Sequence, residues 1–565
     1  MGDVKPQIIL EELGGRPYRW EAYSEEDTGL RAIALLDRRT GLELVSIIPN
    51  PKKRVAAHRA WAGARHSRSP GTTIDILVEM GEKGIDPDKK LEDTFKNYGH
   101  ASVADMARFD VHFNNCPMHL PLTIFNYGSI NSGQEKSTRY QKRFGKAILQ
   151  PLEEMLPGIS ILPELAEQYE QLGILSLQLF EKHKERLTHA FVDFYHPETP
   201  KEKSSLDSRV LDCVRYFLLL GQGTGFDFET SARDWGRLIS RLKASRLEYY
   251  QRVGDQLEAL LSPDAETEEL LRFRAEAKSL LFDTGADITI RQNLSELKKY
   301  LESFDFLQDK ERISQDGFVP DNVDLVDYCS SVADKMVAQY VLSIWPDLAY
   351  APLLVDLYAL PVEVKENMSR IIFNGQDHVK EMPEIAATRE ITLIVKGYLG
   401  ELRDFNRHRA WSRFVQMPSN LYANEWTADM ADKMISLGFG LPAYLQDISA
   451  FQKQREEFEG DLVKYYESLS GFVENVRKAL GKDADYAFVQ NVLPLAHQVN
   501  LWMHGDPKQA SYLSSLRVRP GGHINYRLLT FDACNLIADS DPYLEGLRME
   551  RCPDPANREE FFARS

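Results

Sequence analysis

The octapeptide Gly99-His-Ala-Ser-Val-Ala-Asp-Met106 recurs later in the chain as Gly375-Gln-Asp-His-Val-Lys-Glu-Met382. The two copies share glycine, valine, an acidic residue and methionine in register. Further landmarks follow in the same order in both halves, which are Ser132 and Ser240-Arg241 in the first and Ser412 and Leu516-Arg517 in the second. Matching landmarks in one order indicate an internal duplication, so the sequence predicts one fold built twice.

The length of 565 residues is too great for one ordinary hydrophobic core, which agrees with at least two domains. We predict a first domain over residues 1–315, which ends in a helical extension, and a second over residues 316–565. The boundary is placed at the polar segment Gln315-Asp-Gly-Phe-Val-Pro320. The composition, with 43% hydrophobic and 27% charged residues, is typical of globular proteins.

Charge and cysteine content narrow the functional classes. A formal charge of −17 argues against a broad nucleic-acid or membrane-binding surface, but it leaves room for a local arginine pocket that binds a small anion. The five cysteines form no Cys-x-x-Cys pair and the histidines form no His-Glu-x-x-His motif, so no metal site is predicted. Because the sequence has no apolar run of membrane-spanning length, a cytoplasmic location is expected.

The segment after Ser132 concentrates polar chemistry. Glu135, Ser137 and Arg139 alternate with other residues, so an extended backbone would direct all three side chains to one face. A hydroxyl and a guanidinium fork suit a phosphate, and a carboxylate suits the N–H of a uracil ring. The pattern therefore predicts a pyrimidine nucleotide site. The alternative is a strand end that carries a surface salt bridge.

The corresponding segment of the second half carries cations. Apolar residues between Ile391 and Phe405 recur at spacings of three and four, which predicts a helix that ends just before Arg407-His408-Arg409. Two arginines and a histidine then emerge together. The alternative is that these cations only complement the dipole at the end of the helix and bind no ligand.

Together, the two segments resemble the signature of flavin-dependent thymidylate synthases. The second copy keeps the Arg-His-Arg-x-x-Ser part as Arg407 to Ser412, and the first keeps the Glu-x-Ser-x-Arg-Tyr part as Glu135 to Tyr140. Gly99-His-Ala-Ser102 resembles the upstream entry to that family's site. Each copy lacks the half that the other retains, because Tyr127-Gly-Ser129 and Val415-Gln-Met-Pro-Ser-Asn420 stand in the complementary places.

The resemblance implies a fold class and residue roles. It implies an α/β (α+β) fold in which two homologous domains each contain a twisted sheet flanked by helices. It assigns Glu135, Ser137, Arg139 and Arg209 to the nucleotide, and His100, Ser102, Arg407, His408 and Arg409 to FAD. Arg517 is expected to polarise the base as the catalytic residue. Arg209 is chosen as the family arginine ahead of Val-Leu-Pro, where the second copy has Gln490 before Val492-Leu-Pro494.

The resemblance also implies an activity. NADPH would reduce FAD, methylenetetrahydrofolate would donate one carbon, and dUMP would become dTMP. The family is a homotetramer with sites between subunits, so a tandem chain is expected to form a homodimer that acts as a pseudo-tetramer. Two alternatives stay open: a related flavin-dependent one-carbon transferase acting on another pyrimidine nucleotide, and a non-catalytic nucleotide- or flavin-binding homologue.

Overall fold

The structure of the chain is a computed structural model. It describes residues 8–10, 18–24, 30–49, 60–61, 65, 82–86, 90–91, 101–126, 132–138, 149, 162–261, 281, 284–288, 323–328, 335–338, 350–374, 391–415, 417, 419 and 426–563. Helices and antiparallel sheets mix along these residues, as the predicted fold class requires. The predicted boundary near residue 315 lies outside the described residues.

The first half contains a six-stranded antiparallel sheet whose strands follow one another in chain order. The strands are β1 (Ile8–Leu10), β2 (Tyr18–Ser24), β3 (Leu30–Asp37), β4 (Glu43–Pro49), β5 (Arg108–Pro117) and β6 (Gly223–Ser231). Along β5 the buried and partly exposed residues alternate, which is the pattern expected of a strand with one face on the core. The sequence predicts strands at Ile8 to Leu10, at Leu30 to Leu36, in the run from Leu42 and, from its alternation of apolar and polar residues, at Phe109 to Phe113; all four are confirmed.

The second half contains a four-stranded antiparallel sheet in the order β7-β8-β10-β9. Its strands are β7 (Val323–Tyr328), β8 (Ile391–Tyr398), β9 (Ser412–Val415) and β10 (Gln498–Gly505). An all-helical second half would have contradicted the duplication, and it is not what the structure has.

Fourteen α-helices occur within the described residues. In the first half they are α1 (His119–Ile124), α2 (Pro163–Tyr195), α3 (Pro200–Val214), α4 (Ala232–Ala244) and α5 (Glu248–Leu261). In the second half they are α6 (Tyr350–Tyr358), α7 (Val362–Phe373), α8 (Leu399–Phe405), α9 (Ala428–Ser436), α10 (Ala443–Asp447), α11 (Gln452–Leu480), α12 (Pro507–Arg517), α13 (Ile524–Ser540) and α14 (Arg558–Phe562).

Two sequence predictions of helix were wrong in part. The apolar spacing from Ile391 to Phe405 predicted one helix, but Ile391–Tyr398 is strand β8 and the helix begins only at Leu399. The β-branched residues of the first part favour a strand, and Glu401 caps the start of α8 by accepting the Tyr398 N–H at 2.7 Å. The apolar pattern from Val326 to Ile344 also predicts a helix; its first residues lie in strand β7, whereas residues 335–338 are helical.

The two halves repeat one order of elements and pack on each other. After a sheet strand, β5 or β8, each half has in this order a short helix, an extended segment, a long helix, a 3-10 turn, a second strand and two helices. The halves differ in the helices inserted into this order, which are α3 after the long helix of the first half and α9 and α10 before the long helix of the second. The 3-10 turns, Arg215–Phe217 and Ala487–Val492, lead into an antiparallel bridge between Leu219 and Pro494. Main-chain hydrogen bonds continue on both sides of this bridge, from Leu220 N to Leu493 O and from Leu495 N to Leu218 O. One buried apolar core therefore runs through both halves.

Candidate functional site

The segment Ser132–Thr138 is extended and lies along β6. Ser132 pairs with Glu229 and Glu135 with Phe226 in antiparallel bridges, and the Lys136 N–H donates to the Gly225 carbonyl at 2.8 Å. At Gly133, with φ +155°, an added Cβ would lie 1.9 Å from the Asp227 carbonyl oxygen, so glycine alone fits there. The extended backbone predicted for this segment is thus present.

Helix α8 of the second half reaches this segment through a buried ion pair. Arg403, near the end of α8, binds the carboxylate of Glu135, and the two side chains are only 6% and 5% exposed. The same guanidinium places its Nη1 3.0 Å from the sulfur of Met118, just before α1. The carboxylate that the sequence assigned to the nucleotide is therefore held by an arginine from the other half.

The Arg407-His408-Arg409 sequence forms a tight turn directly after α8. Main-chain hydrogen bonds from His408 N to Phe405 O (3.0 Å) and from Trp411 N to His408 O (3.1 Å) close the turn. Arg407 is exposed and His408 is buried. Arg409 donates to the carbonyl of Gly133 and its guanidinium lies 4.9 Å from the ring centroid of Phe125. This turn thus also contacts residues of the first half.

Arg413 strengthens the same contact from strand β9. Its guanidinium donates to the carbonyl of Asn406 and to that of Phe125, the latter at 3.1 Å. Burial lowers the pKa of Arg413 to about 10, and the neighbouring charge of Arg409 acts in the same direction. Burial likewise lowers the pKa of Arg409. Desolvation by burial is the main cause of both shifts, so each guanidinium lies in surroundings that disfavour its charge.

The side chains of Arg517 and His408 are in direct contact. Arg517 Nε donates to His408 Nε2 at 2.6 Å, and Nη2 donates to the Asp404 carbonyl at 2.9 Å. Burial holds the pKa of His408 well below its usual range, and the charges of Arg517 and Arg413 lower it further. The imidazole is therefore neutral, which lets Nε2 accept. The predicted catalytic arginine and one predicted flavin ligand lie side by side.

Arg215 is a buried arginine that the sequence reasoning missed. Its Nη1 donates to Thr138 Oγ1 at 3.4 Å, and its Nη2 lies 3.5 Å from Asp404 Oδ2. It therefore links the extended segment of the first half with α8 of the second. Arg215 precedes Leu219 by four residues, as Gln490 precedes Pro494 by four, and Leu219 and Pro494 form the bridge between the halves. The backbone thus matches Gln490 with Arg215, whereas the sequence had matched it with Arg209.

Arg209 has different surroundings. It is 3% exposed, and the acceptors of its guanidinium are main-chain carbonyls of Pro520, Gly522, Glu560, Phe561 and Ala563. The nucleotide-binding role predicted for Arg209 stays a prediction, and the geometry favours Arg215 for it. The sequence does carry a signal for this match. Arg215 precedes the apolar run Tyr216 to Leu220, much as Gln490 precedes Val492-Leu-Pro494.

Several predicted residues lie outside the described residues. These are Gly99, His100, Arg139 and Tyr140, together with the second octapeptide, 375–382. Ser102 lies in the 3-10 turn Ala101–Met106, where the main chain is described. Ser137 lies two residues after Glu135 in the extended segment and is partly buried.

Comparisons with known proteins give distant matches. The chain is 22% identical over 367 residues to a UPF0159 protein of Chlamydia pneumoniae, which covers 60% of this chain and 57% of that protein. It is 23% identical over 368 residues to a UPF0159 protein of Chlamydia muridarum, covering 62% of this chain and 60% of that protein. The chain thus spans less than two thirds of the length of these curated relatives. No family model matches it.

Among solved structures, the chain is similar to thymidylate synthase X of Helicobacter pylori with FAD and dUMP. One such structure is 14% identical with a TM-score of 0.22, and the match covers 41% of this chain and 93% of that one. A second structure of the enzyme from this organism is 13% identical with a TM-score of 0.22 and covers 39% and 93%. Within the described residues, no helix has the length and apolar character needed to cross a bilayer.

The arrangement has the chemistry of an anion site. Within the described residues, the buried Nε atoms of Arg215, Arg403 and Arg413 have no hydrogen-bond partner. A buried donor without an acceptor is costly, and a phosphate or pyrophosphate oxygen is the acceptor that arginine prefers. The arginines present therefore suit a phosphate oxygen, the group that a nucleotide and the pyrophosphate of a dinucleotide cofactor have in common.

Proposed function

We propose that the chain is a flavin-dependent thymidylate synthase-like enzyme with one composite site, in which the first half supplies the nucleotide-binding segment and the second supplies the flavin-binding turn. One observation carries the proposal. The retained half-motif of each copy lies against the other copy's half-motif, through the Glu135–Arg403 ion pair and the Arg409 contact with Gly133. The split signature read from the sequence is thereby consistent with a single site within one chain.

In this proposal the nucleotide is bound by Glu135, Ser137 and Arg139, and also by Arg215, which donates to Thr138 Oγ1. The carboxylate of Glu135, already oriented by Arg403, accepts the N–H of the pyrimidine ring. Ser137, Arg139 and Arg215 bind the phosphate, in keeping with the preference of guanidinium forks for phosphate oxygens. Arg209 is retained only as the weaker candidate for this role.

The flavin is bound by the turn after α8, with Arg407 and Arg409 on its pyrophosphate, and by His100 and Ser102 from the first half. His408 is the buried residue of the turn, and its neutral imidazole connects the turn to Arg517 by accepting a hydrogen bond from it at 2.6 Å. Bound FAD would supply the hydride, after reduction by NADPH, and methylenetetrahydrofolate would supply the carbon. The chain's own contribution is binding and electrostatics. Arg517 stabilises negative charge on the ring as it is attacked, since its guanidinium is already fixed by two acceptors.

A second location is related to the proposed site by exchanging the roles of the two halves. It lacks the charged residues of the proposed site, which supports one site per chain. Thr123 and Arg403 each lie nine residues before their matching serine, so a neutral hydroxyl replaces the guanidinium. Thr123 Oγ1 donates there to the Ser419 carbonyl at 3.0 Å. Gln490, which is fully buried, replaces Arg215. Val415 replaces Glu135, because Val415 lies three residues after Ser412 and Glu135 lies three residues after Ser132.

The tandem duplication, with domains over residues 1–315 and 316–565, belongs to the same proposal. Support comes from the repeated order of elements and from the antiparallel bridge between the halves. A homodimer of such chains would hold four domains and act as a pseudo-tetramer. Light scattering tests it, since a stable monomer or a four-chain particle would contradict the dimer.

The activity is tested with purified protein and added FAD. The proposal expects a flavin absorbance band that remains with the protein through gel filtration, and dTMP from dUMP in the presence of methylenetetrahydrofolate and NADPH. Turnover of dCMP or UMP instead of dUMP would favour the related one-carbon transferase. A bound flavin without turnover of any of the three nucleotides would favour the non-catalytic homologue.

A further inference from the structure

Arg209 ties together two segments that lie far apart in sequence. From helix α3 its Nη1 donates to the Gly522 carbonyl at 2.6 Å and its Nη2 to the Pro520 carbonyl at 2.8 Å, both in the loop that joins α12 and α13. Its Nε donates to the Phe561 carbonyl in α14 at 3.0 Å, and Nη2 is also within 3.4 Å of the Ala563 carbonyl. All three nitrogens of the guanidinium thus donate to main-chain oxygens, and Nη1 also lies 3.6 Å from Asp212 Oδ2 in a buried ion pair within α3.

A second buried arginine makes the same connection from helix α13. Arg527 on α13 donates through Nε to the Val518 carbonyl at 3.0 Å, and its Nη2 binds Glu560 Oε2 at 2.7 Å. Each arginine therefore joins the loop to the residues around α14. We call residues 560–563 the clasp. Its ring Phe561 stacks on Tyr195 of α2 with centroids 3.6 Å apart, which anchors the clasp to the core.

The loop held in this way begins at the residue after Arg517. Arg517 is the last residue of α12, and the carbonyls of Val518, Pro520 and Gly522 follow it immediately. The loop's own hydrogen bond, from Gly522 N to Arg519 O at 3.0 Å, closes a turn but fixes neither end to the core. The ends of the loop have further contacts, from Val518 N to Ser514 O at 3.3 Å and between His523 Nε2 and the Asp212 carbonyl at 3.2 Å. The path of the loop after Arg517 therefore depends on the two arginines and the clasp together with these end contacts.

We propose that Arg209 is a positioning residue, which with Arg527 and the clasp holds the 518–522 loop so that Arg517 keeps its contacts with His408 and Asp404. The part that concerns the nucleotide rests on the function proposed for Arg517, whereas the fixing of the loop does not. In this role, unlike the nucleotide-binding role first assigned to it, Arg209 contacts neither ligand. It acts through main-chain carbonyls, for which a planar guanidinium with five N–H donors is suited and a lysine is not.

A simpler role is a general anchor for α14 on α3. A general anchor would weaken the whole fold evenly when it is lost. A positioning residue would release the 518–522 loop first, and its effect on the nucleotide would vanish once Arg517 is absent, because coupled residues do not act additively.

Hydrogen–deuterium exchange of the full-length protein without added ligand tests the fixing of the loop. Arg209→Lys is expected to raise amide exchange in residues 518–523 about tenfold, as loss of one charge-assisted hydrogen bond would allow, while strand β10 and helix α2 stay unchanged. Arg548→Lys is the matched control, because this exposed arginine pairs with Glu545 and Asp539 and does not touch the loop. Unchanged exchange in 518–523, or an equal rise across the chain, would overturn the proposal.

Titration with dUMP in the presence of FAD tests the link to Arg517. Arg209→Lys is expected to weaken dUMP binding about tenfold in the wild-type background and to have no further effect in Arg517→Gln. Equal weakening in both backgrounds would overturn the positioning role. If the wild-type protein binds no dUMP, the proposed function fails, and the exchange experiment still decides whether Arg209 fixes the loop. Should Arg209→Lys not fold, Glu560→Gln removes the Arg527 ion pair and is judged by the same exchange pattern.

Discussion

Removal of Arg403 tests the contact that joins the two halves. Arg403→Met leaves the Glu135 carboxylate buried without its partner, and both side chains of the pair are at most 6% exposed. Breaking one side of a buried ion pair typically costs about 3–5 kcal/mol, whereas an exposed pair is worth about 0–1 kcal/mol. We therefore expect the free energy of unfolding to fall by about 3–5 kcal/mol in the ligand-free protein.

The double variant Arg403→Met with Glu135→Leu decides whether that loss comes from the pair. Replacing both charges by apolar groups of similar size is often neutral, so most of the lost stability is expected to return. Chemical denaturation of the four proteins gives the coupling energy, which we expect to be about 2–4 kcal/mol. Arg407→Met is the control, because Arg407 is exposed and its removal should change stability by less than about 0.5 kcal/mol. Additive single effects, or a loss below about 1 kcal/mol for Arg403→Met, would refute the reasoning.

Three further outcomes are expected. Arg215→Gln should weaken dUMP binding about tenfold to a hundredfold and leave flavin binding unchanged, as loss of one charge-assisted contact of about 1.5–3 kcal/mol implies; unaltered dUMP affinity in calorimetric titration would contradict it. Gly133→Ala should lower the unfolding free energy by at least about 1 kcal/mol, because the new Cβ would lie 1.9 Å from the Asp227 oxygen, and a neutral result in denaturant titration would count against the described path of this segment. Stability should fall between pH 6.5 and 5, since burial lowers the pKa of His119 and of His497 to about 3 and also lowers that of His183 and of His408, so the unfolded chain binds these protons first. Glu401 acts oppositely, because burial raises its pKa from 4.5 to about 7 and the folded state gains its proton as the pH falls. The two imidazoles with a pKa of about 3 and the one carboxyl with a pKa of about 7 leave a net uptake of about one proton on unfolding near pH 5.5, which corresponds to roughly 1.4 kcal/mol per pH unit. His183 and His408 act in the same direction as the first two histidines. A flat pH dependence in denaturant titrations would contradict this prediction.

The sequence pattern correctly predicted elements whose conformation depends mainly on neighbouring residues in the chain. Alternation along Phe109–Phe113 predicted a strand, and Ser132 to Glu135 is extended as expected, because one face of each packs on the core. Ile391–Tyr398 was mistaken for helix, since spacings of three and four also fit a buried strand of β-branched residues.

The site itself was predicted only in part, because most of its contacts join residues far apart in sequence. The signature pointed to Arg407-His408-Arg409 and Glu135, but not to Arg403, whose partner lies 268 residues away. Arg215 was not predicted, because Arg209 directly precedes Val210-Leu211 and so fits the family's Val-Leu-Pro pattern better. The register that matches Gln490 with Arg215 is visible only in the bridge between Leu219 and Pro494, and the nucleotide-binding role of Arg209 stays a prediction.

The number of nucleotide sites per chain tests the composite site most directly. Equilibrium titration of the FAD-supplemented protein with dUMP should reach saturation at one dUMP per chain. A single site follows from the replacement of Glu135, Arg403 and Arg215 by Val415, Thr123 and Gln490 at the matching location. Saturation at two dUMP per chain, or no binding at all, would contradict it.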